Sequence, residues 1–376
     1  MKEYKVASLF AGVGGICLGF QNAKYEDYSY KLAWANEIDE YACETYRNNF
    51  SHKLYEGDIN KILDQTLCDE TEVDYYKKIK EEILSTEIDV LNGGFPCQAF
   101  SIAGDQKGFE DERGILFLSI IKLVKEIAKK TKMPRVILLE NVKNLKSHDK
   151  GQTYKVIKSE IEKLGYTVKE EVLNTMNYST LPQNRERIYI VCFRDEEDSK
   201  WFDFGKIKKE NKLTYNKKER QLQTEKIVNV KDKKDLKYYY TKEKYPKYFI
   251  ESNNADDINL NKQITEFYQF YQVRRGMYVR KNQSNVCPTL TANMGTGGHN
   301  VPLIIDDYGI RKLVPAETFM LQGFPVNNGY KLPLQYKGKQ YSDARLYKQA
   351  GNAVSVPVIE LIATEILKAM KQRDEE

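Results

Sequence analysis

Histidine is almost missing from this chain: His52, His148 and His299 are the only three in 376 residues. The six cysteines (Cys17, Cys43, Cys68, Cys97, Cys192, Cys287) are scattered, and no two form a Cys-x-x-Cys pair. That spacing supports neither a zinc site nor a disulfide framework, so no metal is expected. No apolar run approaches the roughly 20 residues needed to cross a bilayer. The opening Met1-Lys2-Glu3-Tyr4-Lys5 runs straight into a strand pattern without the marks of a secretory signal. A cytoplasmic protein with no membrane partner is the expectation.

What is present is an ordinary globular composition, 41% hydrophobic and 30% charged, long enough for one large domain or two. The net charge of +5 is unevenly placed. From Lys200 to Lys281 there are 21 Lys/Arg against 11 Asp/Glu, which leaves the rest of the chain net acidic. A basic surplus gathered in one segment is the footprint of a polyanion-binding module, although a lysine-rich solvated surface has the same composition.

Val6 to Phe10 reads as a buried strand, Ala11-Gly12-Val13-Gly14-Gly15 as a glycine-rich turn, and Ile16 to Asn22 as a helix. Such a turn lets the backbone approach a ligand at the helix N-terminus. The Gly-x-Gly-Gly spacing departs from Gly-x-Gly-x-x-Gly, which weakens a nicotinamide reading. A second strand, Lys31 to Asn36, ends at Glu37, placed to grip ribose hydroxyls or simply to favour the helix that follows. Asp58 sits where a third strand ends, and a carboxylate there accepts from an adenine amino group. These strand ends together predict a nucleoside site. Asn60 to Thr86 reads as a surface insertion with a helical pattern over Val73 to Leu84.

A fourth strand, Ile88 to Leu91, leads into Gly93-Gly94-Phe95-Pro96-Cys97-Gln98-Ala99-Phe100-Ser101. Glycines free this turn, and Pro96 sets its own φ just before the sulfur. A cysteine held so is placed like a nucleophile, while the plainer reading is a small buried thiol. Ser101 to Gly114 forms a polar, glycine-punctuated loop of functional length. A helix over Ile115 to Lys130 precedes a fifth strand, Arg135 to Leu139, that ends at Glu140-Asn141-Val142. Further strands are expected over Thr167 to Asn174 and Arg187 to Phe193. Between them lies Gln183-Asn184-Arg185-Glu186-Arg187, whose arginines at alternate positions are expected to point the same way and suit an anion.

Beyond Arg194 the strand–helix alternation lapses into Lys/Tyr-rich sequence. Tyr271-Gln272-Val273-Arg274-Arg275-Gly276 and Pro288-Thr289-Leu290-Thr291-Ala292 carry residue types that read base edges and phosphates. A second, smaller domain is expected here. The final helix, Ser355 to Lys371, has the apolar spacing to pack back on the sheet.

Taken in order, these motifs resemble the DNA (cytosine-5) methyltransferases in their bacterial modification-enzyme form. The matching stretches are Phe10-Ala11-Gly12-Val13-Gly14-Gly15, Gly94-Phe95-Pro96-Cys97-Gln98, Glu140-Asn141-Val142, Gln183-Asn184-Arg185-Glu186-Arg187, Arg311-Lys312-Leu313 to Gly323-Phe324-Pro325, and Gly351-Asn352. The resemblance implies an α/β fold: a doubly wound mixed sheet of the S-adenosylmethionine-dependent methyltransferase type, with a smaller irregular target-recognition domain. It implies a catalytic domain over 1–194, target recognition over 195–310, a connecting segment over 311–345, and a returning helix over 346–376. Cys97, Glu140, Arg185 and Arg187 would be catalytic. Phe10, Ala11, Gly12, Gly14, Gly15, Glu37, Ile38, Asp58, Ile59, Pro96, Asn352 and Ala353 would border S-adenosylmethionine and its product S-adenosylhomocysteine. Gln98, Ser101, Arg113, Arg274, Arg275, Arg280, Thr289 and Thr291 would touch double-stranded DNA. The implied protein is a monomer of a restriction–modification system, with a cognate endonuclease acting separately. The same chemistry on transfer RNA, and a silent DNA-binding regulator, are the competing readings.

Overall fold

The chain enters on β1 (Lys2–Leu9), turns at the glycines into α1 (Gly15–Asn22), and returns through β2 (Lys24–Tyr25) and β3 (Tyr28–Glu37). It continues through α2 (Glu40–Arg47), β4 (Lys53–Glu56), α3 (Ile59–Leu63), α4 (Val73–Ser85), β5 (Val90–Gly94), α5 (Gly114–Lys130) and β6 (Val136–Val142). α6 (Gln152–Glu162), β7 (Thr167–Asn174) and β8 (Glu186–Phe193) follow. The structure is a computed structural model that describes residues 2–95, 114–229, 234–252, 257–274, 276–296 and 301–375.

These strands make one sheet in the order β2-β3-β1-β5-β6-β8-β7, with β4 also on β3. The pairs β1–β3, β1–β5, β3–β4 and β5–β6 are parallel, and β8 runs antiparallel to β6. The first six residues of β6, Val-Ile-Leu-Leu-Glu-Asn, are all buried, as a strand covered on both faces requires. Strand order reverses between β1 and β5, and ligands of open α/β sheets bind outside the carboxyl ends at such a point.

This unit comprises Met1–Leu173, Glu186–Glu210 and Val358–Glu376. Its last segment carries most of the C-terminal helix (Val356–Glu375). That helix buries Val358, Ile359, Ile362, Ile366 and Leu367, and its Ala363 carbonyl accepts from the Tyr30 hydroxyl at 2.9 Å. Arg135 adds a fork to Asp198 (2.6 Å to each oxygen) and a third bond to Asp374 (2.6 Å).

One expectation needs correction. The 60–86 stretch is no surface insertion, because α4 buries Tyr76, Ile79, Ile83 and Leu84 in the same core as Leu91, Phe117 and Ile137. Positions 76, 79 and 83 lie on one helical stripe. The lysines and glutamates between them dominate the composition and hide it.

The second unit comprises Asn174–Arg185 and Asn211–Pro357. Its sheet has the order β10-β9-β11-β12, formed by β9 (Tyr271–Arg274), β10 (Tyr278–Lys281), β11 (Leu303–Asp306) and β12 (Gly309–Lys312). A tyrosine-rich core of Tyr240, Tyr248, Phe249, Leu260 and Tyr271 packs against it. Beside that core, Arg311 is fully buried between Asp306 and Glu317.

Candidate active site

The turn after β1 is held by backbone and by one carboxylate. The Ala11 amide donates to the Asn36 carbonyl at 2.9 Å, and the Gly14 amide to the Ala11 carbonyl at 2.8 Å. Gly14 has φ +83°, and a Cβ there would lie 2.2 Å from the Phe50 ring, so conformation and space both demand glycine. Under the turn, the buried Cys17 thiol donates to Ser8 Oγ and accepts from the Tyr46 hydroxyl, each at 3.0 Å. Phe10, at the turn's start, holds φ +53°, a strained value for a side chain of that size.

Glu37 closes the turn from β3. Its Oε2 accepts from the Gly12 amide at 2.7 Å, and its Oε1 from the amides of Ile38 and Asp39 at 2.9 and 2.8 Å. Burial pushes its carboxyl pKa up, against the three amides that pull it down. Asn36 donates to the carbonyls of Tyr55 and Gly57 at 2.9 and 3.0 Å, which locks the end of β3 to the turn before α3. Asp58 caps α3, accepting from the Asn60 amide at 2.8 Å.

Asn36 and Asp58 line a cleft of about 680 Å³ together with Phe10, Ile38, Ile59, Asn60, Leu116 and Ser119, among others. Ile38 is 66% exposed there, an apolar side chain left open to the cleft. Four residues expected at a nucleoside thus meet in one cleft, beside Glu37 and the glycine turn. Asn36, Asn60 and Ser119 were not among the expected residues. A polar side chain that bonds the backbone of a neighbouring strand leaves no local sequence signal.

The other polar cluster lies along β6 and β8. Glu140 is paired with Gly94 of β5 in register, and Val142 with Arg187 of β8. The Glu140 carboxylate meets Arg187 Nε at 3.0 Å, with both side chains nearly buried. A Cβ on Gly94 would come 3.2 Å from Glu140 Oε2, so glycine there makes room for the carboxylate. Asn141 donates to the Phe95 carbonyl at 2.8 Å and ties β6 to the last described residue before the proline–cysteine turn.

Arg185 behaves differently from Arg187. β8 begins at Glu186, so strand alternation does not reach back to Arg185. In the second unit its buried guanidinium donates to the carbonyls of Leu290 (2.9 Å), Gly351 (3.2 Å) and Ala353 (2.6 Å). The expectation that the two arginines point the same way is therefore corrected. Asn352 and Ala353 belong to the same unit, at the end of a helix over Asp343–Asn352. Arg274, Arg280, Thr289 and Thr291 are exposed on that unit, where the Thr289 hydroxyl donates to the Asn184 carbonyl at 2.6 Å. Pro96, Cys97, Gln98, Ser101, Arg113 and Arg275 lie outside the described residues.

The five described cysteines have thiol pKa values raised chiefly by burial, Cys43 to about 12, so none of them is a poised nucleophile. Among the described residues no cluster of side chains has the make-up of a metal site. No helix there is long and apolar enough to cross a membrane.

A doubly wound mixed sheet whose strand order reverses at β1, with a cleft past the carboxyl ends of β1, β3 and β4, is the methyltransferase type of α/β fold. The S. pombe Dnmt2 methyltransferase superimposes with a TM-score of 0.66 at 15% identity, covering 98% of this chain and 99% of the other. The family model for C-5 cytosine-specific DNA methylase matches residues 4–368. The chain belongs to that family and is a DNA (cytosine-5) methyltransferase. The Type II methyltransferase M.Bsp6I of Bacillus sp. (strain RFL6) is 46% identical over 367 residues, 97% of this chain and 99% of the relative. M.HaeII of Haemophilus aegyptius, also named a Type II methyltransferase, is 36% identical over 373 residues, covering 98% and 95%.

Proposed function

We propose that this chain is the modification enzyme of a Type II restriction–modification system. It transfers a methyl group from S-adenosylmethionine to carbon 5 of a flipped-out cytosine in a short duplex sequence, through a covalent Cys97 adduct. The observation that carries this is the Glu140–Arg187 pair, set beside Gly94 and Phe95 two residues ahead of Cys97. The names of the relatives support the biological role.

The residues present fit the cofactor. Glu37 offers a buried, amide-fixed carboxylate of the kind that holds a ribose diol, Asp58 an acceptor for an adenine amine, and Ile38 and Ile59 apolar faces for the ring. Asn352 and Ala353 would border the methionine end. S-adenosylmethionine supplies the electrophilic methyl group, carried on a sulfonium.

Carbon 5 of cytosine is a weak nucleophile inside a base stack, so the base is extruded at a cost of a few kcal/mol. The Cys97 thiolate adds to carbon 6, forming a C–S bond and moving the ring's π electrons toward carbon 5. Glu140 hydrogen-bonds ring nitrogen 3 and the exocyclic amine as charge builds, and Arg187 balances its carboxylate. Carbon 5 takes the methyl group. Loss of its proton to a base then expels the thiolate and restores the ring. Arg185 acts as a positioning residue through the Leu290, Gly351 and Ala353 carbonyls. The basic second unit would hold duplex DNA through Arg274, Arg275, Arg280, Thr289 and Thr291, with Gln98, Ser101 and Arg113 at the flipped base.

The test is covalent trapping. Duplex DNA carrying 5-fluorocytosine cannot lose a proton from carbon 5, so with S-adenosylmethionine the enzyme is expected to give a complex stable on a denaturing gel. A transfer RNA with the same substitution should give none. Trapping on the RNA alone, or on neither, would sink the proposal.

Glu37 gives a pH signature. Its pKa lies above the ordinary carboxylate value of about 4.3, and only the ionised form accepts from both ribose hydroxyls. Cofactor affinity is therefore full above the raised pKa and falls as pH drops through it. Calorimetric titration of S-adenosylhomocysteine against pH is expected to show that loss in the wild type and a flat profile in Glu37→Gln. Parallel profiles would remove Glu37 from the ribose.

A further inference from the structure

We infer that Asn60, oriented by Ser119, reads the purine edge of the bound adenosyl group together with Asp58. The inference rests on the adenosyl reading of the cleft given above.

Ser119 lies on α5 and is only 4% exposed, and its hydroxyl donates to the Asn60 side-chain carbonyl. Both residues line the cleft. With its oxygen turned to Ser119, the Asn60 amide keeps its NH2 group for a ligand, and that group has no partner among the described residues. Asp58 spends one oxygen on the Asn60 backbone amide, and its second oxygen has none there either. Other polar lining groups are committed. Asn36 donates to two carbonyls, Lys61 pairs with Glu72, and Lys122 with Asp64.

The cleft therefore presents an acceptor and, two residues on, a fixed donor. Adenine offers the complement: an exocyclic amine that donates, with ring-nitrogen acceptors on either side of it. A carboxylate alone would test only for the amine. Adding the amide makes the site sensitive to a ring nitrogen as well, and Ser119 sets which end of the amide faces the base. Sites built to hydrogen-bond a group discriminate strongly against analogues that lack it.

The experiment is calorimetric binding of S-adenosylhomocysteine and its 1-deaza, 3-deaza and 7-deaza analogues to the full chain. Wild type is expected to bind the 1-deaza or the 7-deaza analogue about five- to tenfold more weakly than the parent, the worth of one hydrogen bond, and the 3-deaza analogue like the parent. Asn60→Ala should bind that analogue and the parent alike. Asn60→Asp, which turns the donor into an acceptor, should weaken the parent at least about tenfold. Ser119→Ala should weaken it about threefold, and Ser119→Thr should restore it. Both sites tolerate change: a carboxylate in the first turn of α3 favours the helix, and alanine suits the interior of α5. In turnover, the Asn60 variants should raise KM for S-adenosylmethionine while leaving kcat near wild type, as loss of uniform binding does. An unchanged deaza profile in Asn60→Ala overturns the inference alone. Failure of the wild type to bind S-adenosylhomocysteine overturns the adenosyl reading on which it stands.

Discussion

Cys97→Ser is expected to abolish methyl transfer, lowering turnover by at least about a thousandfold, while cofactor and DNA affinities stay near wild type. The substitution changes one atom and shortens the side chain only slightly, so lost volume contributes little. What changes is the supply of anion. A thiol releases some thiolate at neutral pH and is intrinsically nucleophilic, whereas a serine hydroxyl needs a strong neighbouring base. Glu140 is committed to Arg187 at 3.0 Å and is assigned to the base's hydrogen-bonding edge, so it does not serve as that base. Tritiated methyl transfer to duplex DNA, alongside gel-shift and calorimetric binding, separates chemistry from recognition. A mutant that keeps a tenth of wild-type turnover would remove Cys97 from the mechanism.

The second large effect is on stability. Arg311→Met is expected to destabilise the second unit by about 3–5 kcal/mol. Arg311 donates through Nε to Asp306 at 2.6 Å and through both Nη groups to Glu317 at 2.9 and 2.8 Å, with all three side chains at most 1% exposed. It also donates to the carbonyls of Val228 and Lys312, each at 3.2 Å. Methionine fills similar space but leaves two carboxylates buried without their cation, and that desolvated charge is the source of the cost. Scanning calorimetry should show the second unit's transition falling by at least about 6 °C. Adding Asp306→Asn and Glu317→Gln to the Met variant should recover much of the loss, because the buried charge goes with them. A single variant that melts within about 2 °C of wild type would mean that the triad is not buried charge in the sense argued.

Much of the large unit was legible from local pattern. Apolar runs of strand length, a helix after the glycine turn and acids at strand ends are properties of a few consecutive residues, and β7 over Thr167–Asn174 falls where alternation placed it. The stripe on α4 was obscured because intervening lysines and glutamates set the average. In the small unit, isolated short strands and tyrosine-rich turns have no period long enough to read. Its sheet depends on contacts between segments as distant as Tyr271 and Leu303.

By itself the sequence determined the family, because the ordered motifs around Cys97, Glu140 and Gly351-Asn352 are linear signals. It also named Glu37 and Asp58 as strand-end acids. Only the tertiary structure separated Arg187 from Arg185: two residues apart in sequence, one meets Glu140 and the other is spent on three backbone carbonyls. Only it brought Ser119 to Asn60, 59 positions away. Propensity and spacing act within a turn or two of chain. A hydrogen bond between side chains far apart in sequence is set by which strands pair and which helices pack, and no local pattern carries that.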